Sequence, residues 1–242
     1  MKNLKVITQI DRINYFSDNF INYYKNFFHP EEFYFLIHDV NKNLIIPYLQ
    51  SHGINNFETY STKSYGWGNN IKKQNEIKKR FINEGYIVLY ADQDERIFHP
   101  DLRNYIINTL NDWIAPTGIS LMQHDSEPPL DETKKILEQR SWGKLDRYWF
   151  SKTCILRKDF EWLPGRHTRP PNLKIDPNIY LIDTGKCCKD LMLKNNQESN
   201  KIYKSVFWRY STDNENIVKK VFEEHKGSLE KLPQIIKDSL LF

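Results

Sequence analysis

Apolar and polar positions alternate between two periods along the first ninety residues. Residues 4–10 read as a first strand, and residues 18–28 as a helix with Ser17 or Asp18 as cap and His29-Pro30 as stop. Residues 33–37 read as a second strand ending at His38-Asp39, and residues 44–52 as a second helix with Gly53 in the left-handed position after it. Residues 57–60 suggest a third strand and 61–69 a polar loop; 70–83 suggest a third helix closed by Gly85. Strands alternating with helices at this spacing predict a parallel sheet with right-handed crossovers.

The next strand is the informative one. Tyr86-Ile87-Val88-Leu89-Tyr90-Ala91 is a short apolar run rich in β-formers, and it leads directly into Asp92-Gln93-Asp94-Glu95. Open α/β sheets bind ligands at the carboxyl ends of such strands. Three carboxylates within four residues repel one another unless a cation sits among them. Asp92 and Asp94, two apart, point the same way in extended chain and offer hard oxygen ligands to Mg²⁺ or Mn²⁺. The same run also reads as an acidic turn that caps the following helix.

Beyond Glu95 the pattern loosens. Residues 101–112 and 131–139 read as helices; 119–123, 148–156 and 179–182 read as strands. Residues 124–129 form a polar loop with Asp125 and Glu127, and residues 163–171 a Pro-rich loop with Gly165, Arg166 and His167. From Asp190 onward most of the chain reads as helix, ending in an apolar face at 235–242 that packs on the domain or touches a membrane peripherally.

Composition narrows the classes. A net charge of +4 with scattered lysines argues against nucleic acid as a partner. The six tryptophans could stack on sugar rings, or serve as core anchors. Three cysteines, two of them adjacent (Cys187-Cys188), make neither a disulfide framework nor a zinc pattern. The first apolar run is too short for a signal peptide and no stretch suits a bilayer span, so a soluble cytoplasmic protein is expected.

The order of elements, closing on Asp92-Gln93-Asp94-Glu95, resembles the nucleotide-sugar glycosyltransferases of the GT-A fold, especially family 2-like and family 92-like members. Residues 6–14 with Asp11-Arg12 resemble the family's first strand and Arg-containing loop; residues 19–24 resemble the helix after it. Residues 68–75, with Lys72 and Asn75, resemble the helix before the metal strand, and Ser151-Lys152-Thr153 through Gly165-Arg166-His167 resembles a downstream strand and late histidine. The resemblance implies an α/β fold with a mainly parallel, Rossmann-like central sheet, a domain over residues 1–190 and a helical C-terminal extension over 191–242 packed on it.

It also implies a transfer from a nucleotide-diphosphate sugar, with a uridine diphosphate sugar as the expected donor, to a glycan or lipid-linked glycan. The reaction would be metal-dependent, and inverting for a family 2-like member, whereas a retaining GT-A family would need no general base. Asp94, Asp92 and His167 are then the candidate ligands for Mn²⁺ or Mg²⁺. Asp39, Arg12, Lys72, Asp92 and Lys152 are candidate donor contacts, and Glu95 a sugar contact or a support for the metal site. Asp125 is the candidate general base, with Glu127, Asp146 and Asp183 as rivals. Two other classes remain: a metal-dependent phosphohydrolase, whose acidic motif usually opens the chain, and a non-catalytic nucleotide- or carbohydrate-binding protein.

Overall fold

The structure, a computed structural model, describes residues 3–61, 67–146, 151–163, 166, 168–203 and 214–238. The chain divides into two compact units, one of residues 1–118 and 146–181, the other of 119–145 and 182–242.

The first unit is a twisted parallel sheet with helices on both faces. Its strands are β1 (Leu4–Ile10), β2 (Phe33–His38), β3 (Phe57–Tyr60) and β4 (Ile87–Tyr90), in spatial order β3-β2-β1-β4. β1 runs parallel to both β2 and β4, with Ile10 opposite Ile37 and Ile7 opposite Tyr90. The strand β8 (Ile155–Leu156) adds antiparallel to β4, and Trp113 and Ile114 of β6 (Trp113–Met122) pair with β8 on its far side. The fold is therefore mixed α/β with a mostly parallel central sheet. In β4, Ile87, Val88, Leu89 and Tyr90 are all buried, as expected for a strand covered on both faces.

Two helices supply that cover. In α1 (Tyr15–Tyr24), Phe20 meets Phe35 edge-on, with ring centres 6.3 Å apart. On the other face, α3 (Trp67–Asn83) sets Ile71, Ile77 and Phe81 into a cluster with Ile7, Leu36, Val88, Tyr90 and Trp162. The helix α2 (Lys42–Ser51) ends at Gly53, whose φ of +78° only glycine adopts without strain.

Several boundaries differ from the sequence reading. The first helix begins at Tyr15 rather than 18, because Asn14 and Ser17 form a reciprocal capping box that neither Ser17 nor Asp18 alone would make. The third helix starts at Trp67, inside the expected loop. A strand β5 (Glu95–Phe98) follows the acidic turn, where no strand was expected. The expected helix at 101–112 is shorter, α4 (Leu102–Asn108), and that at 131–139 is one turn, α5 (Ile136–Gln139). The expected strands at 119–123 and 179–182 belong to longer ones, β6 and β9 (Ile175–Lys186). Of 148–156 only Ile155–Leu156 is strand, residues 147–150 lying outside the described ones.

The second unit contains β7 (Trp142–Asp146), paired antiparallel with β10 (Glu230–Lys231), and the helices α6 (Lys189–Tyr203), α7 (Asn214–His225) and α8 (Gln234–Asp238). Met122, Val218 and Phe222 form its apolar centre. Arg140 is wholly buried there; its Nε donates to the Cys187 carbonyl at 2.5 Å and its Nη1 to the Gln139 carbonyl at 3.0 Å. In α8, Ile236 is buried while Ile235 is 45% exposed. No helix among the described residues is long and apolar enough to cross a membrane.

Candidate functional site at the carboxyl end of the parallel sheet

Because β1, β2 and β4 are parallel and in register, the residues that follow them leave the sheet at one edge. Asp11-Arg12, Asp39 and Asp92 all stand there. Asp92 and Glu95 enclose a tight turn: the Glu95 N–H donates to the Asp92 carbonyl at 2.9 Å, and Glu95 Oε2 accepts the Asp92 N–H at 2.9 Å. Gln93 ties the turn to β1, its side-chain amide donating to the Gln9 carbonyl at 3.0 Å. The acidic run is thus a side-chain-closed turn between two buried strands, and it caps no helix.

The turn meets two cations. Lys152 Nζ lies 2.5 Å from Glu95 Oε1 and 3.5 Å from Asp92 Oδ2. Arg166 pairs with the same Asp92 oxygen, and its guanidinium lies over the Tyr90 ring, 4.1 Å from the centroid. Burial alone would raise the Asp92 carboxyl, but the Arg166 and Lys152 charges outweigh it and hold the group below the usual carboxylate range. Burial and the Arg166 charge both oppose the Lys152 ammonium; Glu95 and Asp92 overcome them and raise it above the ordinary lysine value. Burial likewise opposes the Arg166 charge, and Asp92 outweighs it, so the guanidinium is raised too. Asp92, Lys152 and Arg166 are therefore all charged at neutral pH.

α3 holds the segment that delivers Arg166. Asn75 exchanges two hydrogen bonds with the Trp162 backbone, at 2.9 and 3.0 Å. Lys78, almost fully buried, reaches Asp159 at 2.9 Å and also donates to the Phe160 carbonyl. Trp162 packs edge-on to Tyr90, with ring centres 5.1 Å apart. Arg166 was visible in the sequence only as one member of a Pro-rich loop. Its importance is a tertiary fact, since the residues that meet it lie more than seventy positions earlier. A local signal exists only in hindsight: a cation on a loop that returns beside an acidic turn.

The other expected residues fall as follows. Asp94 lies in the same turn, half-buried. Arg12 pairs with Asp11 at 3.4 Å, and Asp39 lies 3.4 Å from His38 Nδ1. Lys72 stands on the exposed side of α3, while the cations that meet Asp92 among the described residues are Lys152 and Arg166. His167 lies outside the described residues, as do the side chains of Asp146 and of 67–69. Asp125 belongs to the second unit, half-exposed and 3.6 Å from Lys189, at the rim of a cleft of about 340 Å³ whose floor includes Leu193, Val218 and Phe222. Glu127 is spent on structure: its oxygens accept the His124 N–H at 3.0 Å and the Ser141 N–H at 2.6 Å. Asp183 lies 3.4 Å from Ser120 Oγ and accepts the Gly185 N–H at 3.0 Å.

Asp92 and Asp94 offer the hard oxygen donors a divalent cation takes, but among the described residues no three His, Cys, Asp or Glu side chains converge on one point. They fit an ion held by one or two carboxylates together with a ligand's phosphates, the usual manner of Mg²⁺, and not an all-protein cage.

No family model matches the chain, and no curated protein matches its sequence. Among solved structures it is similar to one described as a glucose-1-phosphate thymidylyltransferase from Bacillus anthracis, in complex with a sucrose. The identity is 11%, over 91% of this chain and 83% of that one, with a TM-score of 0.35. It is similar to 4-diphosphocytidyl-2C-methyl-D-erythritol synthase from Anaerococcus prevotii at 11% identity, over 92% and 83%, TM-score 0.33. A mannose-1-phosphate geranyltransferase from Thermus thermophilus matches at 8% identity, over 91% and 68%, TM-score 0.35.

Proposed function

We propose that the protein is a sugar transferase that binds a nucleotide-diphosphate sugar at the carboxyl edge of the parallel sheet and passes the sugar to a hydroxyl of a glycan or lipid-linked glycan. One observation carries this reading: a half-exposed carboxylate, Asp92, ends the central strand and is backed by two buried cations, Lys152 and Arg166. Ligand sites of open α/β sheets lie at this edge. A diphosphate needs both hard-ion ligands and fixed positive charge, and this turn has both within a few ångströms.

In this reading Asp94 and Asp92 hold Mn²⁺ or Mg²⁺, and His167 completes the set. The ion would supply Lewis-acid neutralisation of charge on the diphosphate. Asp39 and Arg12, at the ends of β2 and β1, receive the nucleoside. Lys152, fixed by Glu95, keeps its charge in a nearly dry setting where it acts on a phosphate more strongly than in water. Transfer forms a bond from the acceptor oxygen to the anomeric carbon and breaks the bond to the diphosphate, which leaves with the electron pair. An inverting course sends the acceptor proton to a general base.

The test is thermal shift against nucleoside diphosphates and their sugars, each with and without Mn²⁺, on the chain and on Asp94→Ala. A ligand that binds only the folded state raises the melting temperature according to its concentration over Kd. A metal-dependent shift with one nucleotide, lost in the variant, is expected. Silence across the panel, with release of phosphate from simple monoesters, would replace this reading by the phosphohydrolase one.

A further inference from the structure

Four ionisable side chains meet at the acidic turn, and they are unequally open to solvent. The side chains of Lys152, Glu95 and Arg166 are 3%, 4% and 9% exposed, that of Asp92 is 37% exposed. Glu95 has both oxygens engaged inside the protein, one by Lys152 and one by the Asp92 N–H. A molecule arriving from solvent therefore meets Asp92 first and finds Arg166 and Lys152 directly behind it. Arg166 also has a φ of +56°, unusual for a residue with a side chain. Such a conformation is strained and persists where surrounding contacts impose it, often at ligand sites. Here those contacts are the Leu163 carbonyl, which accepts the Arg166 N–H at 2.9 Å, and the Tyr90 ring beneath the guanidinium.

We propose that Arg166 and Lys152 are the anion site for the donor's diphosphate, and that Asp92 is a place-holding carboxylate from which the diphosphate takes Arg166. The inference rests on the nucleotide-sugar reading. Arg166 meets Asp92 through one nitrogen and one oxygen, whereas arginine's planar fork can match two phosphate oxygens at once, so the exchange replaces a single contact by a two-pronged one. Without a ligand, Asp92 prevents the buried Arg166 from standing unpaired, which would be costly, while Lys152 keeps Glu95 as a partner. With a ligand, the same carboxylate repels the incoming phosphate. Affinity in the absence of metal is thus set by a competition between Asp92 and phosphate for one guanidinium.

Inorganic pyrophosphate, which lacks a base and a sugar, probes this site directly by calorimetry in EDTA on the full chain. Binding is expected. Arg166→Gly, which removes the fork and suits the backbone conformation, should weaken it at least tenfold, and Arg166→Lys by less. Asp92→Asn should strengthen it several-fold, because the competing charge is gone; a purely structural role for Asp92 predicts no gain. If Arg166→Gly does not fold, the Asp92→Asn arm decides alone. No binding in EDTA, or unchanged affinity in Asp92→Asn, overturns the anion site. Undiminished binding of uridine diphosphate with Mn²⁺ by Arg166→Gly overturns it too, while leaving the nucleotide reading intact. If no nucleoside diphosphate binds with Mn²⁺, that reading fails by itself and the pyrophosphate result still decides the anion site.

Discussion

Asn75 and Trp162 hold each other reciprocally: the Asn75 amide nitrogen donates to the Trp162 carbonyl at 2.9 Å, and its oxygen accepts the Trp162 N–H at 3.0 Å. A side chain on α3 thereby takes the place of a neighbouring strand for an irregular segment. That segment carries Arg166 four residues later. Asn75→Leu should destabilise the protein by about 1–3 kcal/mol, the range for stranding buried polar groups. Asn75→Asp keeps the acceptor, loses the donor and should fall between. Urea denaturation midpoints of the three proteins check the order; equal midpoints would remove the clamp from the account.

Asp94→Ala should leave the chain folded, since Asp94 sits in a turn and belongs to no helix or strand. Metal-dependent nucleotide binding should be lost. Calorimetry with Mn²⁺ and the nucleotide identified by thermal shift reads the second effect, and thermal melting without ligand reads the first. Full metal-dependent binding by the variant would take Asp94 out of the site.

The parallel half of the fold was legible because its signals are local. Period-two and period-3.6 runs alternate, and Gly53 and Gly85, with φ of +78° and +84°, end segments where only glycine sits easily. The acidic turn after Tyr90 was legible for the same reason. Glu95–Phe98 was not, since four residues opening with Glu and Arg carry no strand alternation; the strand pairs with β9, and Tyr23 and Tyr24 of α1 bond to Ile97. Arg166 was missed because charge partners more than seventy residues apart leave no periodicity. Lys152, read from the sequence as a donor contact, is buried beside Asp92, whereas Lys72, read likewise, lies on the exposed side of α3.

Glu58 should contribute to acid sensitivity. Its burial would raise the carboxyl, but hydrogen bonds from Lys73 and Tyr34 and the charges of Lys73 and Arg80 prevail and lower it. A depressed folded-state value means the stabilisation is complete above the ordinary carboxylate range. It is lost as pH falls through the lowered value. Because the group is partly exposed, the effect should stay within about 1 kcal/mol. Glu58→Gln should therefore be less stable than the parent at pH 7 and equal to it near pH 2. A difference that persists undiminished in acid would exclude this cause.

Cys154 should be chemically silent while the protein is folded. It is buried beside β4, its carbonyl accepting the Tyr90 N–H at 2.8 Å, and burial pushes its thiol up to about 12. At pH 8 roughly one molecule in ten thousand would carry the thiolate that reacts. Iodoacetamide followed by peptide mass mapping should find Cys154 unmodified after treatment of the native protein and fully modified in urea. Native labelling on the timescale of an exposed cysteine would mean that this region opens far more readily than its packing implies.

Gly143 tests the second unit. A Cβ there would stand 2.9 Å from Ile119 Cγ2, 3.0 Å from the Ser120 carbonyl oxygen and 3.3 Å from Leu232 Cδ2. The first contact is closer than carbon tolerates, and the second is tight against backbone, which cannot swing aside. Two strands are involved, since Gly143 also pairs with Glu230 of β10. Gly143→Ala should cost about 1–3 kcal/mol, as overpacked sites do. Gly227→Ala is the control: nothing lies within 4 Å of the added carbon. Thermal melts should separate the two variants by several degrees. If Gly143→Ala melts with the parent, β7 lies farther from Ile119 and Ser120 than these distances, and the close approach that needs glycine is absent.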